Sequence, residues 1–238
     1  FAFSNIVMNY PAHVAMIPDG NRTWAKEQWF PSIQWHIAWK NNTLSLIRHI
    51  FMTTPISTFT LWGLSTENLR KRSKEELDYL CQTFLLAMEE VGCILQELKV
   101  SFRRAGNPDW LPENVVAGLN DLQERTQVDS PKTFVACVNY WGRDEILRGI
   151  KKLSPEQIVW LTEEQFSDML DFSDLPVVDL VIRTKWNVAR RLSWFMSWWV
   201  WYAELFFSDL KFPAFDTTAF DEAVAWYSSV LHERNFWK

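Results

Sequence analysis

The feature that most limits what this chain can fold into is an alternation of short apolar segments with longer amphipathic ones. Five short segments are typical of β-strands, and each precedes a helical pattern: HVAMIP, ISTFTLWG, KVSFRRAG, TFVACVNY and PVVDLVIRT. Strands that alternate with helices usually lie parallel, because each helix returns the chain across a face of the sheet. We therefore predict an α/β fold, in which a single domain has a central, mostly parallel sheet flanked by helices.

Apolar residues at helical spacing support this prediction. The spacing occurs at Leu44, Ile47 and Ile50, in the segment LDYLCQTFLLAMEEVGCIL, and in TTAFDEAVAWYSSVLHERNF near the end of the chain. A length of 238 residues suits one domain with a sizeable core.

Charge and cysteine content narrow the class of protein. The formal net charge of −5 at pH 7 argues against a protein that binds the nucleic-acid backbone, so we predict no nucleic-acid partner. Cys81, Cys93 and Cys137 have no CxxC spacing, which fits a reducing compartment. No apolar run reaches the length of a membrane span, and FAFSNIVMNYPAH lacks the features of a signal peptide. We expect a cytoplasmic protein.

Polar clusters that follow strands are the candidate sites, because ligands of open α/β sheets bind beyond the carboxyl ends of the strands. After the first strand, Asp19 and Asn21 stand at the start of a helical segment, where they could hold a cation and a diphosphate together. The alternative is a capped turn with no ligand.

The second strand ends in a similar cluster. Residues 65–68 begin a helix, and three cations follow at residues 70–72. A capping box between Ser65 and Asn68 is one interpretation. Adjacent cations near a helix N-terminus oppose the helix dipole unless an anion binds, so an anion site is the other interpretation.

The fifth strand leads into the most basic cluster, LVIRTKWNVARRLSWF. Arg183 stands at the strand end, and Arg190, Arg191 and Ser193 follow shortly after. Planar guanidinium groups bind phosphate oxygens through two hydrogen bonds, so this pattern indicates a phosphate site. Glu204 follows in an apolar aromatic strand, where its carboxylate needs a metal ion or an arginine as a partner. Together the clusters suggest a diphosphate ester with a hydrocarbon tail.

The order of these motifs resembles a known family. The chain contains HVAMIPDGNRTWAK, LWGLSTENLRKRSKEEL, VNYWGRDEI, DLVIRT, RRLSWFMSWW, YAELFFSDLKFPAFD and a final ERNFWK. This series is similar to that of the cis-prenyltransferases, the undecaprenyl diphosphate synthase (isoprenyl transferase) family. The resemblance covers residues 11–238, interpreted as the cis-prenyltransferase domain, with residues 1–10 as an N-terminal extension. It implies an undecaprenyl diphosphate synthase-like fold with a hydrophobic tunnel.

The resemblance also implies an activity. Enzymes of this family extend an allylic diphosphate with isopentenyl diphosphate, form Z double bonds, use Mg²⁺ and act as homodimers. We therefore expect an isoprenyl transferase of isoprenoid biosynthesis that makes an undecaprenyl-type Z-polyprenyl diphosphate. Peripheral membrane association through the product is a further expectation. The alternative is a non-catalytic subunit that binds lipid or stabilises a catalytic partner.

Residue roles follow from the resemblance position by position. Asp19 matches the metal-associated aspartate that assists departure of the diphosphate, and Asn68 the position that assists proton removal. Glu204 matches a carboxylate that helps to hold Mg²⁺. Substrate-binding roles are implied at Gly20, Asn21, Arg22, Thr23, Trp24, Ser32, His36, Ser65, Thr66, Glu67, Leu69, Arg72, Arg183, Arg191, Leu192 and Ser193.

The chain departs from the family pattern at several of these positions. Thr23 stands where many members have a second arginine, although the arginine before it is a possible substitute. Ser32 stands where another phosphate-contacting arginine is common, and Leu69 replaces a frequent tryptophan. Either Lys71 or Arg72 takes the role of a further family arginine.

Tryptophan is unusually frequent, with 15 residues against 7 glycines. Relatives commonly carry glycine at the positions of Trp29, Trp35, Trp39, Trp141, Trp186, Trp194, Trp201 and Trp237, and Trp110 is a ninth candidate. One hypothesis is that the gene has UGA codons that mean glycine. The rival is that these tryptophans fill an enlarged apolar cavity, which predicts that they cluster in space.

Several residues are candidates for the wall of the hydrophobic tunnel. The segment LDYLCQTFLLAMEEVGCIL, with Phe134, Val135 and Phe195, could line it. The alternative is that these side chains are ordinary core.

Overall fold

The computed structural model describes residues 8–30, 34–71, 74–185, 187 and 190–235, with side chains for all of these except residues 34, 68, 70, 71, 74–78 and 232–235. Within these residues, six strands form one sheet: β1 (His13–Ile17), β2 (Thr58–Ser65), β3 (Ser101–Ala105), β4 (Thr133–Tyr140), β5 (Leu180–Arg183) and β6 (Glu204–Phe207). The strand order is β3-β4-β2-β1-β5-β6, and every neighbouring pair is parallel. The predicted single-domain α/β fold with a parallel sheet is confirmed.

The central strand shows why the sequence folds this way. All five residues of β1 are buried, because β2 and β5 flank it and packed layers cover both faces. Parallel strands buried on both faces carry near-continuous apolar runs, which is the pattern of HVAMI.

The helices are α1 (Asn21–Glu27), α2 (Gln34–Thr53), α3 (Thr66–Lys71), α4 (Lys74–Leu98), α5 (Glu113–Arg125), α6 (Gly142–Lys151), α7 (Pro155–Val159), α8 (Glu163–Ser167) and α9 (Thr217–Asn235). A 3₁₀ turn, Phe212–Ala214, precedes α9. The three segments with helical spacing form α2, α4 and α9, as predicted. None of the described helices has both the length and the apolarity needed to cross a membrane.

The helical pattern expected directly after the fifth strand is absent from the described residues. The segment before β6 forms turns instead. Ser193, Trp194 and Met196 have φ values of 51°, 64° and 47°. A right-handed helix needs negative φ, so this backbone cannot continue as one.

Two hydrophobic clusters cover the two faces of the sheet. The larger contains Leu46, Ile47 and Phe134, and the smaller contains Val135 and Phe195. Phe134, Val135 and Phe195 are fully buried, so they belong to the core, which was the alternative to a tunnel wall.

A buried polar network joins β4 to α6. The carboxylate of Glu145 accepts hydrogen bonds from Tyr140 Oη at 2.5 Å, Trp199 Nε1 at 3.2 Å and the Asp171 amide at 3.0 Å. Burial raises the pKa of Glu145 to about 7, because the ionised form is poorly solvated there.

A second buried titratable group lies on β1. The ring nitrogens of His13 contact the carbonyl oxygen of Pro176 at 2.7 Å and Thr60 Oγ1 at 2.8 Å. Burial lowers the pKa of His13 to about 4, so the imidazole is neutral at pH 7.

Candidate active site

A cleft of about 270 Å³ opens at the carboxyl ends of β1, β2 and β5. This is the edge of a parallel sheet where ligands are expected. The lining residues are Ile17, Pro18, Asp19, Asn21, Trp35, His36, Trp39, Trp62, Gly63, Ser65, Glu67, Leu80, Thr83, Phe84, Ala87, Trp141, Arg183 and Ser193. The structure thus brings together Asp19, Asn21, His36, Ser65, Glu67, Arg183 and Ser193 from the sequence prediction.

An ion pair between Asp19 and Arg183 lies at the floor of the cleft. Arg183 Nη2 donates to Asp19 Oδ2 at 2.9 Å. The two residues meet because Ile17 of β1 pairs with Arg183 of β5, and Asp19 follows two residues later. The Arg183 side chain is 6% exposed and that of Asp19 is 37% exposed. The carboxylate therefore remains accessible to a ligand, whereas the guanidinium is largely removed from water.

Three consecutive residues, the last one of β5 and the two that follow it, hold the turn that follows β1. Beside the Arg183 contact, Thr184 Oγ1 donates to the Asp19 carbonyl oxygen and accepts from the Asp19 amide, both at 2.8 Å. Lys185 Nζ then donates to Thr23 Oγ1 at 3.0 Å. We call residues 183–185 the clasp segment. It fixes the position of the turn at residues 19–23.

Glycine is required at the centre of this turn. Gly20 has a φ of 101°, in the region that side chains rarely adopt. A Cβ atom there would lie 2.9 Å from the Cβ atom of Lys211. Next to it, Asn21 Nδ2 donates to the Pro18 carbonyl oxygen at 3.0 Å, which orients the Asn21 side chain.

Arg183 also reaches the segment that follows it. Its Nη1 donates to Ser193 Oγ at 3.2 Å and to the Arg191 carbonyl oxygen. Ser193 therefore lines the cleft, whereas Arg191 has an exposed side chain and contributes a backbone oxygen here. Leu192 packs against the smaller hydrophobic cluster.

The end of β2 supplies the opposite wall. The pairing of β2 with β4 shifts register between Trp62 and Ser65, an irregularity of the kind that often lies beside binding sites. Ser65 and Glu67 line the cleft, and α3 begins at Thr66. Leu69 packs against the larger hydrophobic cluster. The Asn68 side chain and all of Ser32 and Arg72 lie outside the described residues.

The remaining predicted positions lie around α1 and α2. Arg22 is exposed, and Trp24 is half-buried with its ring 5.8 Å from that of Phe30. His36 is buried, and its ring stacks on that of Trp35 at 3.5 Å.

An apolar wall closes the inner side of the cleft. It consists of Leu80, Phe84 and Ala87 of α4 together with Trp39 of α2. The two interpretations of α4 thus apply to different parts of the helix. Its cleft-lining residues fit the tunnel wall, whereas Val91 and Leu95 are fully buried and belong to the core.

The sequence did not single out Trp62 or Gly63 as site residues. They do lie near the carboxyl end of a predicted strand, and that position was the available signal. Thr83 and Ala87 were marked only as part of the segment that could line a tunnel, because their exposure to the cleft depends on how α4 packs.

Three cleft-lining side chains carry a buried polar atom that has no hydrogen-bond partner among the described residues. These atoms are Asn21 Oδ1, Trp62 Nε1 and Arg183 Nε. Buried polar groups are normally paired, so unpaired donors and acceptors gathered at one cleft indicate a ligand site.

That Asp19 and Glu204 both help to hold Mg²⁺ stays a prediction, and the two residues stand at opposite ends of their strands. Glu204 begins β6 and pairs with Leu180, the first residue of β5, whereas Asp19 lies beyond the level of Arg183 at the other end. Three strand residues alone separate these levels by about 10 Å.

The cleft residues nevertheless fit a magnesium ion. Among the described residues no group of three or more His, Cys, Asp or Glu side chains could hold a metal. Mg²⁺, however, often uses only one or two protein ligands and completes its shell with water and substrate phosphate. The accessible Asp19 carboxylate and the unpaired Asn21 Oδ1 are oxygen donors of the kind it prefers.

The tryptophans at expected glycine positions fall into two groups. Trp35, Trp39 and Trp141 line the cleft, which is the clustering that the cavity-filling hypothesis predicts. Four others lie away from it at the surface, namely Trp29, Trp110, Trp194 and Trp201, which are between 47% and 93% exposed. Trp186 and Trp237 lie outside the described residues.

Comparisons with known proteins agree with the geometry. The profile of the undecaprenyl diphosphate synthase family matches residues 17–236. The isoprenyl transferase of Thermotoga maritima is 34% identical over 233 residues, 96% of this chain and 97% of that protein. The isoprenyl transferase of Neisseria gonorrhoeae is 32% identical over 226 residues, 95% of this chain and 89% of that protein.

A solved structure is also similar. Lavandulyl diphosphate synthase from Lavandula x intermedia, in complex with dimethylallyl diphosphate, superposes with a TM-score of 0.84 and 28% sequence identity. The match covers 92% of this chain and 95% of that one.

Proposed function

Because the chain belongs to the undecaprenyl diphosphate synthase family of cis-prenyltransferases, we propose that it condenses isopentenyl diphosphate with an allylic diphosphate. The product of this reaction is a Z-polyprenyl diphosphate. In each condensation the C–O bond of the allylic diphosphate breaks, a C–C bond forms to isopentenyl diphosphate, and the new unit loses a proton.

The observation that carries this proposal is where the ion pair of Asp19 and Arg183 lies. Both residues line the same cleft as the apolar side chains of Phe84 and Trp39. A prenyl diphosphate has the same division, with a charged head and a hydrocarbon tail. One cleft therefore offers both surfaces that such a substrate needs.

Arg183 and Ser193 are the donors for a diphosphate. The Arg183 guanidinium is held by Asp19 and Ser193, and its Nε has no partner among the described atoms. A fixed cation in a water-poor site stabilises negative charge strongly, because it needs no reorganisation during the reaction. Arg183 is placed to bind the diphosphate and to orient it against the cleft wall.

Asp19 and Asn21 are the residues that would hold Mg²⁺. When bound, this ion supplies charge neutralisation to the departing diphosphate. Asp19 is thus shared between a buried arginine and an exposed ligand position.

The apolar wall protects the reacting carbon. An allylic carbon that loses diphosphate becomes electrophilic, and water would capture it. Leu80, Phe84 and Ala87 present hydrocarbon surface beside the polar floor, so they exclude water from that carbon.

We extend the proposal to the product and to the assembly. An undecaprenyl-type product, a homodimer and peripheral membrane contact through the product are supported by the family resemblance. Exposed apolar residues beside the edge strand β6 support the homodimer, since Tyr202 is 86% and Leu205 37% exposed. Light scattering of the purified protein tests the homodimer, and a monomeric mass would exclude it.

The direct test supplies purified protein with Mg²⁺, isopentenyl diphosphate and allylic diphosphates of increasing length. Chain-extended products with Z double bonds, resolved by chromatography and NMR, support the proposal. The Asp19→Ala variant should lose this activity while keeping its fold. Binding of diphosphate by the unaltered protein without any extended product would instead support the non-catalytic alternative.

A further inference from the structure

We propose that Lys185 is a further substrate-binding residue, which supplies a cation to the allylic diphosphate at the turn formed by residues 19–23. This inference rests on the proposed function and adds a residue that the sequence did not indicate. Lys185 Nζ reaches Thr23 Oγ1 at 3.0 Å, across 162 positions of sequence.

The backbone around Lys185 is built to hold the ammonium group in place. Lys185 has a φ of 58°, a conformation that costs a non-glycine residue about 1–2 kcal/mol. Its amide donates to the Leu210 carbonyl oxygen at 2.7 Å, which secures this conformation. The preceding two residues of the clasp segment both bind Asp19. The backbone of Lys185 is therefore held in place by its contacts with the site, unlike that of a lysine on a free surface loop.

The charge of Lys185 is not neutralised by a neighbour. Among the described residues no carboxylate pairs with it, and its hydrogen-bond partner Thr23 is a neutral hydroxyl. An ammonium group has three donors, so two remain for an anion. The nearby Arg183 is already engaged by Asp19, which leaves Lys185 as the cation of the clasp segment without an acidic partner.

The nature of Thr23 bears on why a cation is placed beside it. Its side chain is short and uncharged, so it brings no positive charge of its own to the turn. Lys185 brings a cation to the same point from the other side of the turn. The positive charge at this point therefore comes from the segment after β5 and not from α1.

The test compares Lys185→Ala, Lys185→Arg and the double variant Thr23→Arg with Lys185→Ala. Loss of one charge-assisted contact should raise KM for the allylic diphosphate by about 10- to 100-fold. The KM for isopentenyl diphosphate should change little. Both Lys185→Arg and the double variant should restore most of the affinity, a rescue that a purely structural role would not give.

Inorganic diphosphate binding, measured by calorimetry, provides a readout that is independent of turnover. Lys185→Ala should weaken it by a similar factor. Lys99→Ala is the matched control, because Lys99 also has a left-handed φ, of 53°, but precedes β3 at the opposite edge of the sheet. Unchanged KM and diphosphate affinity in Lys185→Ala would overturn the inference. If the unaltered protein forms no product but Lys185→Ala still weakens diphosphate binding, the proposed function fails and the binding role stands.

A second inference rests on the backbone of three tryptophans. We infer that residues 29, 110 and 194 are glycine in the protein as its native source makes it, encoded by UGA codons that this source reads as glycine. Trp29, Trp110 and Trp194 have φ values of 57°, 76° and 64°. They are three of the eight non-glycine residues with positive φ in the described part of the chain.

Two of these positions belong to motifs that select glycine. The Trp29 amide donates to the Lys26 carbonyl oxygen and the Phe30 amide to that of Ala25, the hydrogen bonds of a Schellman motif in which residue 29 is the left-handed position. The Leu111 amide donates to the Pro108 carbonyl oxygen, which places Trp110 third in a β-turn. A positive φ at that position is a mark of type II turns, which favour glycine there.

The third position is one of close backbone approach. The Gly142 amide donates to the Trp194 carbonyl oxygen at 3.0 Å, and a Cβ atom on Gly142 would lie 2.3 Å from that oxygen. The Trp194 ring does gain a contact, since the Arg143 guanidinium lies 3.6 Å from its centroid. That contact requires the ring but not the left-handed backbone.

Sequencing the gene tests this inference directly. We expect UGA at codons 29, 110 and 194, and UGG at codons 24 and 62, where tryptophan suits its surroundings. Mass spectrometry of protein from the native source should then find glycine in the corresponding peptides. UGG at the three positions, or tryptophan in those peptides, would overturn the inference.

Discussion

Replacing Trp29 by glycine should stabilise the protein. Trp29 has a φ of 57°, and a non-glycine residue in this region costs about 1–3 kcal/mol. Glycine removes that cost but loses more backbone entropy on folding, about 0.5–1 kcal/mol. The indole is 93% exposed, so its removal forfeits about 0.4 kcal/mol of burial at most.

The balance favours Trp29→Gly by about 1 kcal/mol. For a chain of this length the corresponding rise in Tm is about 2 °C. Urea denaturation followed by circular dichroism is the second assay, and the midpoint should rise while the slope stays constant. A constant slope shows that the change acts on stability and not on the surface exposed by unfolding.

Trp160 provides a matched control. It is 82% exposed and also follows a short helix, but its φ is −116°. Trp160→Gly has no left-handed strain to relieve, so it should leave stability unchanged or lower it by up to about 1 kcal/mol. Equal losses in both variants would refute the argument that φ decides the effect at Trp29.

Three further predictions concern the core and the site. The pKa of Glu145 is about 7 in the folded protein against an ordinary 4.5, so the free energy of unfolding should fall by up to about 3 kcal/mol as pH rises from 4.5 to 7. Glu145→Gln should remove this fall from urea midpoints measured across that range. A fall that persists in the variant would contradict the prediction. Gly106→Ala should lower the free energy of unfolding by at least about 1–3 kcal/mol in urea denaturation. The φ of Gly106 is 117°, and the new Cβ would lie 2.2 Å from the Val138 carbonyl oxygen. A variant as stable as the wild type would contradict this prediction. Arg183→Lys should lower kcat/KM by about 100-fold with Tm nearly unchanged. The reason is that a lysine ammonium group cannot bind Asp19 and Ser193 together as the planar guanidinium does. Activity within about threefold of wild type would contradict this prediction.

The parallel sheet and the location of the site followed from simple physical rules. The buried apolar run of β1 and the Asp19 that follows it predicted a parallel strand with a polar site at its carboxyl end, and the structure has both. Such predictions succeed because burial on both faces of a sheet constrains every residue of a central strand.

The position of Glu204 shows how residue identity and residue placement differ. The resemblance supplied a carboxylate, but not the end of the sheet on which it lies. The structure supplies that end, because Glu204 is the first residue of β6 whereas Asp19 follows β1. In a parallel sheet, those two positions belong to opposite edges.

Lys185 could not have been found from the sequence. Its contact with Thr23 depends on a left-handed backbone at a lysine, and no local propensity predicts that conformation. The cleft-facing residues of α4 were predicted only as part of a longer segment, since helical spacing marks an apolar face without saying which part of it remains uncovered.

Because of the clasp segment, enzyme activity also reports how far the synthesis of the chain has advanced. Its contacts with Asp19 and Thr23 span 162 to 165 residues of sequence. A nascent chain that has emerged only as far as β4 already contains the whole 19–23 turn but has none of the residues of the clasp segment. During synthesis, therefore, diphosphate-binding competence should arise late, when β5 has joined β1, and truncated chains should not sequester substrate.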